Sequence, residues 1–240
     1  RSTLFPYTTL FRSLADITVA QLSSTYDLNG FSADPDWAVN LNDVAWVEAQ
    51  ARAAREAGAD VVVLHAQLGE EYSPEPVPEQ TEFARAVAQT GQVDVLFGAH
   101  PHVPETNELL PGGPGGRGMW VSYSAGNFIS NQSEELGTVL VSIGLFVWVD
   151  VVVTQEADGT RSAGVEALHW RPFTVDLNGG HRLVDLAAAQ QGRVPEGSTL
   201  SAEEIDRRWR AVTEVVNPQT LAADAPPAPS GDAPAARPRG

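Results

Sequence analysis

Two stretches of this chain follow the same plan, and together they dictate a layered α/β architecture. In the first, Val44, Val47, Ala51 and Ala54 recur at helical spacing, Gly58 stops the helix, and Asp60 opens the apolar run of residues 61–64, ending at His65. In the second, Phe83 and Val87 with flanking alanines mark one face of a helix over residues 80–89. Gly91 ends it, and Asp94 opens the short strand of residues 95–97. Steps of three and four place side chains on one helical face. Glycine just past the last turn takes the left-handed conformation at low cost. An apolar run without alternation suits a strand buried on both faces, as a parallel sheet requires. Helices alternating with such strands imply right-handed βαβ units. Asn42 is the expected N-cap of the first helix.

The flanks read differently. Residues 17–23 form a short strand followed by the turn formers of residues 25–30. Beyond Pro111, residues 119–124, 138–153 and 164–175 are β-rich, and Asp158-Gly159 marks a hairpin turn between the last two. One helix is expected from Arg182 and another over residues 201–215. Residues 1–13, RSTLFPYTTLFRS, resemble the translation of a DNA-sequencing adapter and are set aside from fold reasoning. On that reading an upstream segment has been lost, with any export signal or anchor. Residues 14–220 then make one domain, and the Pro/Ala-rich residues 221–240 a disordered tail.

Composition narrows the function. A formal net charge of −16 disfavours nucleic-acid backbones and anionic membranes as partners. It leaves open a substrate that presents its anionic group through a metal. With no cysteine, disulfides and thiolate metal sites are excluded. All 15 basic residues are arginine, which fits a GC-rich genome. No apolar run approaches the ~18 residues of a membrane span.

Chemistry concentrates where the strands end. Gly98-Ala99-His100-Pro101-His102 directly follows the second strand, and ligands gather at the carboxyl ends of strands in open α/β sheets. Histidines two apart on extended chain project to one side, and Pro101 biases His100 toward extended geometry. Neutral imidazoles held this way suit zinc, manganese or iron. His65 closes the neighbouring strand and, at a strand spacing of about 4.8 Å, is expected to share the rim. Glu71, in Gly69-Glu70-Glu71-Tyr72, is a carboxylate placed to bind metal, orient a histidine or act on substrate. Tyr72 is the expected substrate contact beside it. Asn127, in Tyr123-Ser124-Ala125-Gly126-Asn127-Phe128, aims an amide at the rim and is a second. His169 and His181 lack such context and read as structural.

In this order the motifs resemble the CapA, or poly-γ-glutamate capsule synthesis, family, from about residue 17 to about residue 150. The matching pieces are Thr25-Tyr26 with Asn29-Gly30; His65, Gly69, Glu71 and Tyr72 with Pro76 and Gln80 downstream; Gly98 with His100-Pro101-His102-Val103; and Tyr123-Ser124 with Gly126-Asn127-Phe128. The family histidine lies two residues before the glycine, which is Gln67 here. A local bulge would restore His65 to that place; otherwise Gln67 holds it. Ala125 replaces the usual leucine.

The resemblance implies a calcineurin-like metallophosphoesterase fold, two β-sheets packed face to face with helices outside, here incomplete at the amino end. It also implies a centre of two divalent ions (Mn, Fe or Zn), His100 and His102 each binding one and His65 joining the His100 metal. Other ligands would come from upstream. The implied substrate is an anionic cell-surface polymer or phosphoester, handled at the cell envelope, with membrane capsule-synthesis proteins as further partners. The implied roles are a metal-dependent hydrolase or, alternatively, a non-catalytic assembly or export factor. Without upstream ligands, this chain is expected to hold metals poorly and to be nearly inactive. No Gly-x-Ser-x-Gly elbow or phosphate loop points elsewhere.

Overall fold

Both helix–strand units form, and the aspartates that open their strands do the same job. The computed structural model describes residues 10–14, 17–35, 38–155, 158 and 161–225. Strands β1 (Leu10–Leu14) and β2 (Ile17–Thr25) lead into α1 (Val44–Glu56), β3 (Val61–Gln67), α2 (Pro78–Gln89) and β4 (Val95–Ala99). The Asp60 carboxylate accepts the Thr18 N–H at 2.7 Å, tying the start of β3 to β2. The Asp94 carboxylate accepts the Val62 N–H at 2.7 Å, tying β4 to β3, and also takes the Arg55 guanidinium at 2.5 Å. The echo in the sequence is thus a repeated clamp that sets strand register.

The chain continues through β5 (Asn107–Leu110), β6 (Met119–Ser122), β7 (Ile143–Gln155), β8 (Arg161–Asp176), β9 (Arg182–Asp185), α3 (Leu186–Gln190) and α4 (Ala202–Val215). Six strands make one sheet in the order β1-β2-β3-β4-β6-β5, and β7-β8-β9 make a second. Strands β2, β3, β4 and β6 run parallel, with β1 and β5 antiparallel at the edges. The second sheet is antiparallel throughout.

Alternation along β3 explains the layers. Val62, Leu64 and Ala66 pack with Val47, Ala51, Ala84 and Val87 under α1 and α2. Val61 and Val63 face the other way, onto Val95, Leu168 and half-buried Val147 and Val149 between the sheets. Trp170, Val184, Ile205 and Val212 seal the outer face of the second sheet with α3 and α4. The two-sheet sandwich with outer helices is therefore the architecture observed. Among the described residues, the far edge of β7 pairs with no strand.

Local departures have physical reasons. Asp43, not Asn42, caps α1, its carboxylate accepting from Ala45 N and Trp46 N. Asn42 serves the rim instead, accepting from Ser24 Oγ at 2.6 Å and donating to Gln67 O at 3.0 Å. Residues from Val139 to Ser142 form a 3₁₀ turn rather than the start of a strand. Arg182 opens β9, paired with β8, and the helix begins only at Leu186, capped by Asp185. β5 had no periodic signal of its own. Of the hairpin dipeptide, Gly159 lies outside the described residues, but β7 and β8 pair as far as Gln155 with Arg161. Residues 1–9 also lie outside them, whereas Leu10–Leu14 pairs with β2. Beyond Leu221, the Ala222 N–H still donates to Trp170 O and Arg171 to Ala223 O. Residues 226–240 are outside the described set.

Asp94 is 3% exposed, so removing it strands a backbone N–H and leaves Arg55 without its carboxylate. Asp94→Ala is expected to destabilise the fold by about 3 kcal/mol. Urea unfolding would check this, and a change below about 0.5 kcal/mol would sink the clamp.

Candidate functional site

Three loops meet at the carboxyl ends of β3, β4 and β6, and backbone hydrogen bonds stitch them together. Leu68 N donates to Ala99 O at 2.9 Å, and Tyr72 N to Pro101 O at 2.7 Å. Glu105 N donates to Ser124 O at 3.0 Å, while Ser124 Oγ donates to Val103 O at 2.7 Å. The fit needs glycine. A Cβ on Gly98 would lie 1.9 Å from Tyr123 O, and one on Gly69 would lie 2.8 Å from Pro101.

The histidine pair does not lie on extended chain. His100 has φ +116° and His102 φ +62°, both in the half of conformational space that non-glycine residues avoid. Two such residues flanking Pro101 make a tight turn, and the turn is what brings the rings together, centroids 6.3 Å apart. This corrects the expectation that strand alternation would align them. Strain of this kind persists only where surroundings over-determine it, as the stitched loops do here.

Other aromatic and amide groups crowd the pair. Tyr26, from the Thr-Tyr motif after β2, lies 4.8 Å from the His100 ring. Tyr72 stacks on His102 at 6.0 Å and 25°. Asn127 Oδ1 is 2.9 Å from His102 Nδ1. Asn127 Nδ2 donates to Gln132 Oε1 at 2.7 Å, and Gln132 Nε2 to the Tyr72 hydroxyl at 3.3 Å. Glu71 is exposed, and its charge, after desolvation, raises the pKa of the Tyr72 phenol. Tyr26 was present in a recognised motif but not singled out, and Gln132 had no signal in the sequence.

His65 stands apart from the pair. The register between β2 and β3 runs unbroken from Val61 to Gln67, so no bulge shifts it. Gln67 therefore occupies the position two before Gly69, and His65 sits one side-chain repeat, about 6.6 Å, deeper. Its ring lies 5.7 Å from Phe97, across the β3–β4 ladder. His65, Gln67 and Phe97 line a cleft of about 610 Å³ between the sheets, walled opposite by Leu145 and Val147. His65 is open to that cleft, yet the surrounding protein displaces water from it and lowers its pKa. Gly98 and Ala99 lead from the cleft wall into the histidine turn.

His100 and His102 suit a divalent cation by chemistry, as adjacent imidazoles on a constrained turn. The pair by itself supplies two donors. Among the described residues, no group of three or more His, Cys, Asp or Glu side chains is arranged to hold a metal ion, whereas catalytic zinc sites use three protein ligands. His169 instead pairs with Asp150 at 2.8 Å, and His181 with Asn131 at 2.7 Å.

Behind the turn lies Glu105, fully buried. One carboxylate oxygen accepts from Gln80 Nε2 at 2.7 Å, and the other has no partner among the described residues. Burial pushes its pKa from the ordinary 4.5 up to about 7, against the opposing hydrogen bond from Gln80. The folded protein thus holds a proton that the unfolded chain releases between these values. Stability should fall as pH rises from 4.5 to about 7 and level off above. Glu105→Gln should remove that slope and stabilise the fold at pH 8 by about 2 kcal/mol. Urea unfolding at pH 5 and pH 8 reads this; equal stability of the two proteins at pH 8 would contradict a buried charge.

The part of the chain that builds the histidine turn falls within a family match. The chain matches the family described as bacterial capsule synthesis protein PGA_cap over residues 5–132. It is 38% identical over 74 residues to the PGA biosynthesis protein CapA of Bacillus subtilis, covering 31% of this chain and 18% of that protein. It is 33% identical over 118 residues to the capsule biosynthesis protein CapA of Bacillus anthracis, covering 49% of this chain and 26% of that one. Among solved structures, the sulfate thiohydrolase SoxB of Thermus thermophilus aligns with 86% of this chain and 28% of its own, at 15% identity and a TM-score of 0.39. No helix among the described residues is long and apolar enough to cross a membrane. By the extent of its match, which takes in the histidine turn and the loops stitched to it, the chain belongs to the bacterial capsule synthesis PGA_cap family.

Proposed function

We propose that this protein is a metal-dependent phosphoesterase-like member of its family, acting at the cell envelope to build or anchor an anionic capsule polymer, poly-γ-glutamate or a relative of it. The observation that carries the proposal is the imidazole pair on a strained turn at the sheet rim, beside an open cleft. His100 and His102 are the residues that would hold two divalent ions (Mn, Fe or Zn), alongside ligands from elsewhere in the full-length protein. Bound there, such ions supply Lewis-acid polarisation and an activated water.

The rest of the chemistry belongs to this chain. Tyr72 covers one face of His102. Glu71, exposed next to it, is the candidate proton acceptor, and Tyr72 and Asn127 are the candidate contacts for substrate. The cleft of about 610 Å³ has room for a short polymer segment or a small ester. With a net charge of −16, the chain as a whole repels an anionic polymer, and bound cations would offset that repulsion at the rim. Membrane-bound capsule-synthesis proteins are the proposed partners.

A second reading has its own support. Gln67 stands in the position of the family histidine, and the described residues include no group of three ligands. Both favour a non-catalytic assembly or export factor that keeps the fold.

The test uses the chain extended to the full span of its relatives. Phosphodiester hydrolysis and bound metal are measured before and after chelation, and in His100→Ala and His102→Ala. The enzyme reading expects each substitution to lower turnover by at least ~100-fold and to reduce metal content. Capsule formation that survives both substitutions would contradict it and favour the assembly factor.

A further inference from the structure

We infer that Asn127 is a positioning residue for His102, locking the ring in the tautomer that carries its proton on Nδ1, and that Gln132 helps hold the Asn127 amide the right way round. The inference deepens the metal reading and rests on it for its functional meaning. The tautomer itself rests on hydrogen bonds alone.

One group beside Asn127 has an unambiguous role. The Val141 main-chain carbonyl can only accept. Asn127 Nδ2 lies 3.0 Å from it, so that atom is the amide nitrogen. The same NH₂ group gives its second hydrogen to Gln132 Oε1 at 2.7 Å. Both of its donors are then in use, and Asn127 Oδ1 is the atom 2.9 Å from His102 Nδ1. An amide oxygen cannot donate. A neutral His102 must therefore bear its hydrogen on Nδ1, which leaves the Nε2 lone pair bare.

Gln132 is oriented by the same logic. Its Oε1 accepts from Asn127, so its Nε2 faces the Tyr72 hydroxyl at 3.3 Å. Its own N–H donates to Ser130 Oγ at 3.0 Å. Tyr72 in turn stacks on His102 and is held by Pro101 O. Tyr72, Gln132, Asn127 and His102 thus close a ring of contacts that joins the loops after β3, β4 and β6. A free histidine side chain in water favours the opposite tautomer, so the ring works against an intrinsic preference. Metal-binding histidines commonly use their second nitrogen in this way, and losing such a partner typically weakens binding about 10–100-fold. Asn127 would then act through His102 as well as lining the substrate site.

The tautomer can be read without metal, by ¹⁵N NMR of protein labelled at histidine. The native protein should show a protonated, pyrrole-type Nδ1 and a bare, pyridine-type Nε2 at His102. Asn127→Leu should revert His102 to the Nε2–H form, while Asn127→Asp, which still accepts at the same place, should keep Nδ1–H. Gln132→Leu leaves Val141 as the only anchor of the amide and should give a mixture; it keeps the inference testable if Asn127→Leu fails to fold. An Nε2–H His102 in the native protein, or an Nδ1–H form that persists unchanged in Asn127→Leu and Gln132→Leu, would overturn it. Mn²⁺ affinity is measured separately on the same proteins, with a loss of about 10-fold expected in Asn127→Leu. A tautomer that switches while Mn²⁺ affinity holds would overturn the role assigned to it at a metal, and leave the hydrogen-bond assignment standing.

Discussion

The Asp94 carboxylate, buried at the start of β4, bonds Val62 N of β3 and ties the starts of those two strands together. Parallel strands have no short hairpin to set their register, so it must be set by packing and by clamps of this kind. Asp60 repeats the clamp one strand over. With the strand starts aligned, Gln67 and Ala99 finish opposite one another at the same rim. The loops that follow are then close enough to hydrogen-bond backbone to backbone. Every later feature of the site inherits its position from this alignment.

Those stitched loops hold a conformation that the chain alone would not choose. His100, His102 and Tyr72 all have positive φ, and each such residue costs on the order of 1 kcal/mol or more. The close approach at Gly98 and Gly69, the buried Gln80–Glu105 bond and the amide contacts of Asn127 pack around the turn and leave both imidazoles partly exposed. The outcome is a pair of imidazoles facing one rim of the sandwich. The pair stands on the ends of a sheet, tied to its neighbours by backbone hydrogen bonds, and not on a free loop.

Much of this was legible in the sequence, for identifiable reasons. Helical spacing and unbroken apolar runs report burial directly, so α1, β3, α2 and β4 could be read from residues such as Val47, Ala51, Val61 and Val95. The aspartates were visible as an echo, though their job as clamps needed the neighbouring strand. Contacts between distant segments were not legible. Gln132 meets the Tyr72 hydroxyl across 60 residues of sequence, where the loops after β3 and β6 come together, and β5 exists only because β6 offers it an edge. Arg182 was read as opening a helix because the residues after it are helix formers, yet pairing with β8 overrode that local preference. Residue types pick out the histidine motif, but the positive φ of its turn is not legible from them. The spacing suggests extended chain where His100 and His102 have positive φ, and His65 lines the cleft on a regular β3.

The central claim is that this turn makes His100 and His102 the preferred cation ligands of the chain. Mn²⁺ broadens NMR signals of nuclei close to it, so titrating it into histidine-labelled protein reads that claim at all five histidines at once. The account predicts that the His100 and His102 ring signals broaden together, before those of His65, His169 and His181. Uniform broadening of all five, or broadening that reaches the pair last, would contradict it.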